Sequence, residues 1–341
     1  MKQIDYTEAE SLNPIWIDAR TPLEYKESTI LGAYNFPILL DQERIDVSTV
    51  YRNESRSKAK HMGLEFAQSK LADYYKQISD IQKREKRQIV FFCFRGGMRS
   101  NSLAAVMSLM GLPCMVLKGG YKAYRRHVMD SLSNDSFYND KQFVVLHGKT
   151  GVGKTRVLLE MENRNAEILD LEGYAKNKGS IFGGIPFDNI KINQKQFETL
   201  IYNKLNSKCK YIFLESESKK VGANIVPEKL FDKMTNAEHI LIECSDESRI
   251  RNILLDYPLN SDTIPKYKKI IMRMDALSKA KREELCNKLD SDINEEVVLQ
   301  IMKMYYDNLY KYSIKQYNYK YTISSDDINI AAKKICQIYG V

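Results

Sequence analysis

Two short stretches of this 341-residue chain carry side chains that can do chemistry. In Phe91-Phe92-Cys93-Phe94-Arg95-Gly96-Gly97-Met98-Arg99-Ser100, a cysteine closes an apolar run and a helical pattern follows. The two glycines let the backbone curl so that several N–H groups converge on the sulfur, aided by the helix N-terminus. Arg95 and Arg99 add positive charge, and all of these features favour a thiolate nucleophile. They equally stabilise an anion in transit, whether persulfide, perselenide or phosphate. An inert strand-end cysteine is the alternative, and the basic Gly-Gly loop behind Cys93 argues against it. The candidate catalytic group is Cys93, Arg95, Gly96, Gly97, Arg99 and Ser100.

The second stretch, Gly148-Lys149-Thr150-Gly151-Val152-Gly153-Lys154-Thr155, fits G-x-x-x-x-G-K-[ST] at every fixed position. It follows the apolar run Phe143–Leu146 and precedes a helical pattern, the context in which this motif is a phosphate-binding P-loop. The glycines let backbone N–H groups face a phosphate chain, Lys154 supplies a point charge, and Thr155 can hold Mg²⁺. The motif specifies a di- or triphosphate group without specifying a nucleotide. Asp170 and Glu172 after Ile168-Leu169, and Glu215 and Glu217 after Tyr211–Leu214, are acids at predicted strand ends that could complete the site as metal ligands or bases, or simply be solvated.

These loops need strands to hold them. Strands are predicted at Ile15–Ile17, Gln88–Phe92 and Pro113–Leu117, with helices from Pro22, over Leu64–Arg87 and over Ser100–Met110. Strand–helix alternation with continuously apolar strands implies a parallel sheet covered on both faces. Ser131–Lys141 is polar and rich in Asn, Asp and Ser, and reads as a linker. A second alternation follows, with strands at Phe143–Leu146, Ala166–Leu169, Lys210–Leu214 and His239–Glu243. From Pro265 onward the pattern is helical and rich in lysine and tyrosine. The expected architecture is α/β: a parallel-sheet domain over residues 1–130, a linker over 131–141, and a P-loop α/β domain with a helical C-terminal part over 142–341.

Composition narrows the function. No apolar run approaches the roughly 18 residues of a membrane span, and Met1–Glu10 has no signal-peptide pattern. A cytoplasmic location is expected. Six cysteines without a C-x-x-C pair, and four histidines, suit neither a zinc site nor a disulfide framework. The net charge of +8 is spread over both halves, which fits contact with polyanions and equally fits an enzyme of phosphorylated substrates.

Beyond these readings, two segments resemble the opening of a rhodanese domain: Ile17-Asp18-Ala19-Arg20-Thr21-Pro22-Leu23-Glu24-Tyr25, and Ile30-Leu31-Gly32-Ala33-Tyr34-Asn35-Phe36-Pro37. Leu117-Lys118-Gly119-Gly120-Tyr121-Lys122-Ala123-Tyr124 resembles its end. Ser28-Thr29 stand where rhodaneses usually have Gly-His. The C-x5-R loop is one residue longer than the common sulfurtransferase loop, a length shared with rhodanese-like dual-specificity phosphatases. Further on, Ile168–Ala175, Gly179-Ser180, Phe182-Gly183-Gly184, Phe213–Gly222 and Tyr305–Tyr310 are similar to segments of the tRNA 2-selenouridine synthase family. So are the R-G-G-x-R-S loop and Val47–Arg52. The likeness runs from about Ile15 to Tyr312, with Phe94, Asn177-Lys178 and Asn308 departing from the family pattern.

The resemblance implies a transferase acting on wobble 2-thiouridine in the tRNA anticodon stem-loop. Geranyl is added to sulfur from geranyl diphosphate, and the geranylthio group is then replaced by selenium from selenophosphate. It makes Cys93 the chalcogen carrier and the P-loop the diphosphate grip, and it allows selenophosphate synthetase as a donor partner. For tRNA contact it points to Arg95, Lys118, Lys122, Arg125 and Arg126, and to Tyr305, Tyr306, Tyr310, Lys311, Tyr312, Lys315 and Tyr317 as a stacking and charge surface, unless those tyrosines pack in a core. Open beside it stand a rhodanese-like phosphatase or sulfurtransferase fused to a P-loop small-molecule kinase, and a non-catalytic tRNA-binding scaffold.

Overall fold

A computed structural model describes residues 1–309 and 314–341. The chain divides into two compact units. The first comprises Met1–Ser131 with Glu198–Asn203, the second Leu132–Phe197 with Lys204–Val341.

The first unit is built on five parallel strands, β1 (Gln3–Ile4), β2 (Ile15–Asp18), β3 (Tyr34–Asn35), β4 (Ile89–Phe92) and β5 (Cys114–Leu117), in the order β1-β5-β4-β2-β3. Every residue of β2, β4 and β5 is buried, so both sheet faces are covered, as the continuous apolar runs require. The helices are α1 (Tyr6–Ser11), α2 (Pro22–Glu27), α3 (Asp41–Asn53), α4 (Arg56–Glu85), α5 (Met98–Leu109) and α6 (Gly120–Ser133). A capping box explains where α2 starts: Thr21 accepts from the Glu24 N–H, Glu24 accepts from the Thr21 N–H, and Pro22 occupies the first turn. Helix α4 begins eight residues before the predicted Leu64, because Ser55 caps it by accepting from Lys58 N–H at 3.1 Å.

The stretch read as a linker is structured. Helix α6 runs to Ser133 and a single 3₁₀ turn spans Asp135–Tyr138. Tyr138 is buried and donates to the Leu132 carbonyl at 2.9 Å.

In the second unit β6 (Gln142–His147), β7 (Ile168–Leu169), β8 (Tyr211–Glu215), β11 (Glu238–Glu243) and β12 (Tyr319–Ser324) form a parallel sheet in the order β12-β11-β6-β8-β7. A small antiparallel pair, β9 (Lys220–Val221) and β10 (Asn224–Ile225), stands apart. The α-helices described from here on are α7 (Lys154–Glu162), α8 (Leu171–Ala175), α9 (Gln194–Leu205), whose middle belongs to the first unit, α10 (Glu228–Thr235), α11 (Asp246–Asp256), α12 (Ile264–Ile271), α13 (Lys279–Asp290), α14 (Asn294–Ile301) and α15 (Ile328–Tyr339). The central strand β6 lies between β8 and β11, whose connections leave in opposite directions. Its carboxyl end is therefore the switch point at which open α/β sheets bind ligands.

The C-terminal part is not wholly helical. β12 pairs with β11, and α15 returns to pack Ala331, Ala332 and Ile335 against Val157 and Met161 of α7. The alternation Tyr319, Tyr321, Ile323 is the strand signal that the surrounding Lys/Tyr richness obscured.

Candidate functional site

Cys93 sits directly after β4, with its side chain 3% exposed. Its sulfur accepts from the Gly97 N–H and the Ser100 hydroxyl, each at 3.2 Å. The loop is held from behind by the start of α6: Tyr121 N–H donates to the Cys93 carbonyl at 2.8 Å and Lys122 N–H to that of Phe94 at 3.0 Å. This close approach is why glycines are needed. A Cβ at Gly120 would lie 2.2 Å from the Cys93 oxygen, and one at Gly96 would lie 2.6 Å from that of Leu117, both at positive φ. Asn101 donates to the Gly96 and Gly97 carbonyls at 2.9 and 2.8 Å, turning them away from the sulfur.

The two arginines of the loop have different surroundings. Arg99 pairs with Glu24 of α2 at 2.5 Å, fastening the start of α5 to that helix and setting a carboxylate against its charge. Burial would raise the Glu24 carboxyl, and Arg99 outweighs it and holds the group below its ordinary value. Arg95 is exposed, its guanidinium 5.8 Å from the Phe94 ring centre. Ser28 does more than shape a turn. It is buried, its hydroxyl meets that of Tyr121 at 2.5 Å, and Arg20, paired with Asp18, lies 3.9 Å from the Tyr121 ring centre. Tyr121 is thus fixed from both ends before its N–H reaches the cysteine carbonyl.

The P-loop connects β6 to α7. Three of its carbonyls are turned outward by buried side chains far along the sequence. Arg249 Nε donates to Thr150 at 2.9 Å, Asn252 to Gly151 at 2.9 Å and the Ser325 hydroxyl to Val152 at 2.6 Å. Holding carbonyls on one side leaves the N–H groups free to form an anion nest on the other. Gly151 and Gly153 supply the positive φ, at 84° and 82°. Lys154 Nζ meets the Gly148 carbonyl at 3.1 Å, and Lys149 is half-exposed, 4.0 Å from Asp307. Gly148, Thr150, Gly151, Gly153, Lys154 and Thr155 line a cavity of about 390 Å³, within the usual size of ligand sites. Lys178 adds a second cation to its wall and pairs with Asp256 at 3.4 Å.

Three of the four predicted acids converge. Oxygens of Glu172, Glu215 and Glu217 lie within 4.8 Å of one another, and Thr155 Oγ1 is 3.5 Å from Glu172. Asp170 is not in that group: it caps α8, accepting from Gly173 N–H at 2.8 Å. Burial, then mutual repulsion, raises the carboxyls, and Glu217 is pushed up to about 8. Glu215 rises too, chiefly through burial, and its Oε1 is buried with no hydrogen-bond partner among the described residues.

Sequence reasoning missed the pair behind the loop. His239 Nε2 donates to the Thr235 carbonyl at 3.2 Å, so its Nδ1 accepts from His147 Nε2 at 2.9 Å. Burial, then the charges of His239 and Lys154, pulls His147 down to about 3, so an uncharged ring stands beside the lysine. Nothing local distinguishes His147 or His239 from a core histidine.

A second, apolar cavity adjoins the first. Phe182, Tyr267, Ile271, Val297, Ile301 and Met302 line it, and Thr150, Ser180, Ile253, Tyr257 and Tyr306 belong to the walls of both.

The residues expected to meet tRNA divide. Lys122 and Arg126 are exposed, and Lys118 is exposed beside Asp5. Arg125 is buried and taken up by Glu198 and Thr199, so no phosphate can reach it as expected. Tyr306 is buried in the cavity wall and Tyr317 packs on both histidine rings, which removes them as open stacking surfaces. Tyr305 is partly buried and Lys315 exposed, while Tyr310, Lys311 and Tyr312 lie outside the described residues.

A thiol loop on one parallel sheet and a P-loop on another define a rhodanese-type unit joined in one chain to a P-loop unit. Two family models match accordingly: the rhodanese-like domain over residues 6–127, and the tRNA 2-selenouridine synthase AAA domain over residues 141–269. The chain is similar to the tRNA 2-selenouridine synthase of Nitrosomonas europaea, 31% identical with 72% of this chain and 64% of the relative covered. It is similar to that of Pseudomonas fluorescens, 30% identical over 75% of this chain and 69% of the relative. For that of Nitrosomonas eutropha the figures are 32%, 71% and 62%. The chain belongs to the tRNA 2-selenouridine synthase family. It spans a little under two thirds of the length of the first-ranked curated relatives. No helix among the described residues is long and apolar enough to cross a membrane.

Proposed function

We propose that the protein is a cytoplasmic transferase that converts wobble 2-thiouridine of tRNA to 2-selenouridine in two steps. In the first, geranyl passes from geranyl diphosphate to the sulfur of the base. In the second, the selenide-level selenium of selenophosphate, held at Cys93, replaces the geranylthio group: selenium bonds to the base carbon as the carbon–sulfur bond breaks, geranylthiol leaves with a proton, and water takes up the phosphoryl group as phosphate. A selenophosphate synthetase is the natural donor partner.

The observation that carries this reading is the pairing of the two cavities in the P-loop unit. An anion cradle that shares five wall residues with an apolar cavity suits a short hydrocarbon joined to a diphosphate. Charge builds on the diphosphate as its C–O bond breaks, so N–H donors and Lys154 aimed there favour the transition state. Cys93 supports the second step. A sulfur that accepts two hydrogen bonds at a helix N-terminus is suited to carrying a chalcogen anion.

The carboxylate cluster fits a divalent cation such as Mg²⁺. Three raised carboxyls around the orphaned Glu215 oxygen form a hard oxygen donor set, to which Thr155 can add its hydroxyl. When bound, the cation would neutralise charge on the departing diphosphate.

The test is mass spectrometry of tRNA nucleosides from cells lacking the protein, complemented by wild type or Cys93→Ser. Wild type should restore selenouridine, and Cys93→Ser should leave the geranylated nucleoside. Normal selenouridine without the protein, or ATP consumption stoichiometric with product, would overturn the reading.

A further inference from the structure

Beyond the five wall residues they share, the apolar cavity and the phosphate cradle have one buried charged side chain between the loop and the segment after Tyr306. Arg249 of α11 is 2% exposed. While its Nε holds the Thr150 carbonyl, its two terminal nitrogens hold Asp307 at 2.6 and 3.2 Å, and one of them also meets Asp246 at 3.0 Å. Asp307 follows immediately on a π-helical turn, Met302–Tyr306, whose first and last residues line the apolar cavity. Such turns disturb the regular hydrogen-bond ladder and concentrate at functional sites. Lys149, on the P-loop itself, is also within ion-pair distance of Asp307.

The consequence is mechanical. A group entering the cavity presses on Tyr306, and Asp307 is the next residue. A buried guanidinium tolerates little loss of its carboxylate, because desolvation has already removed the alternative of water. A shift of Asp307 would pull on the Arg249 guanidinium, which Asp246 also holds, and through its Nε on the Thr150 carbonyl, which sets how the adjoining N–H groups face an anion. Asn252 and Ser325 hold the next two carbonyls of the loop but are uncharged and form no ion pair with Asp307. Thr150 lines both cavities, and Arg249 is the charged side chain that holds its carbonyl.

We propose that Arg249 and Asp307 are positioning residues that couple the two cavities, so that an occupied apolar cavity tightens the P-loop's grip on diphosphate. Free diphosphate, lacking the hydrocarbon, is then held weakly, which favours the correct donor and releases the product. This rests on the reading of the P-loop unit as a site for an isoprenoid diphosphate.

The experiment is calorimetric titration of the full chain with inorganic diphosphate, with and without saturating geraniol. Geraniol should tighten diphosphate binding about tenfold, an ordinary size for coupling between sites. In Asp307→Asn the ratio should fall to about one, and Asp307→Glu should restore part of it. Asn252→Ala should weaken diphosphate binding while keeping the ratio. If geraniol binds the wild type and leaves diphosphate affinity unchanged, the coupling is wrong and the substrate reading stands. If geraniol does not bind at all, the substrate reading fails and the coupling with it. The wild-type ratio decides the matter even if Asp307→Asn does not fold.

Discussion

The Cys93 loop and the P-loop are both glycine-bearing turns between a strand and a helix, and they are held in shape by different materials. Around Cys93 the donors come from within seven residues of the sulfur, Gly97 and Ser100, and neither is charged. The P-loop depends on Arg249, Asn252 and Ser325, between 99 and 173 residues distant from the carbonyls they hold. It also gathers Lys154, Lys178 and four carboxylates, Glu172, Glu215, Glu217 and Asp256, around one cavity. A single charge on a chalcogen is satisfied by a few dipoles at a helix end. A diphosphate carries several charges and needs cations in a dry setting, which a short loop cannot build from itself.

If that division is right, the two sites fail separately. Cys93→Ser should lower selenation by on the order of 10³-fold or more, the scale for losing a reacting group, and leave geranyl transfer intact. Lys154→Ala should do the reverse, depressing geranyl transfer by about 10²–10³-fold and sparing selenation of pre-geranylated tRNA. The check is a pair of assays on each purified variant, and equal loss of both steps in either one would break the comparison.

The charge imbalance of the P-loop site has a pH signature of its own. Glu172, Glu215 and Glu217 all have carboxyls raised above the ordinary range, Glu217 to about 8. Groups raised in the folded state stabilise it fully below their unfolded values, and that contribution is lost as pH rises through the folded ones. The cation-free melting temperature should therefore fall between about pH 5 and pH 8, and Glu217→Gln should flatten the fall. Mg²⁺ in hundredfold excess over its dissociation constant should recover about 5–10 °C at pH 8 and little at pH 5. A melting temperature that ignores Mg²⁺ at pH 8 would remove the cation from the cluster.

The same contrast governs what could be read in advance. Cys93 to Ser100 and Gly148 to Thr155 are contiguous, so residue type and spacing were enough to find them. Their supports were not visible: Arg249 looks like a surface helix residue until burial is known, and Ser325 follows a strand hidden among tyrosines. Charge alone did not show the nearer partner. Arg99 pairs with Glu24 and Arg125 with Glu198, because a guanidinium takes the carboxylate within reach. Asp170 was spent on a helix cap, which its place directly before Leu171 and three residues before Gly173 would have indicated.

The smallest expected effect concerns tRNA, and it sharpens the contrast on the thiol side. With Arg125 buried and Arg99 paired, the exposed cations at the start of α6 are Lys122 and Arg126, and Lys122 also fixes the Cys93 loop through its N–H. A phosphate bound there would lie beside the backbone that shapes the thiol pocket. Each phosphate contact releases counterions, so removing one should flatten the slope of log K against log salt by about one unit. Lys122→Ala and Arg126→Ala should each do so and, together, by about two, since neither substitution removes a backbone donor or a buried pair. Arg125→Ala should behave differently. It breaks a buried ion pair, so it should lower the melting temperature and leave the salt slope of the folded fraction unchanged. Filter binding of a wobble-thiolated tRNA across a salt series, with melting curves for the three variants, separates these outcomes. An unchanged slope in the Lys122, Arg126 double variant would move the tRNA off this helix.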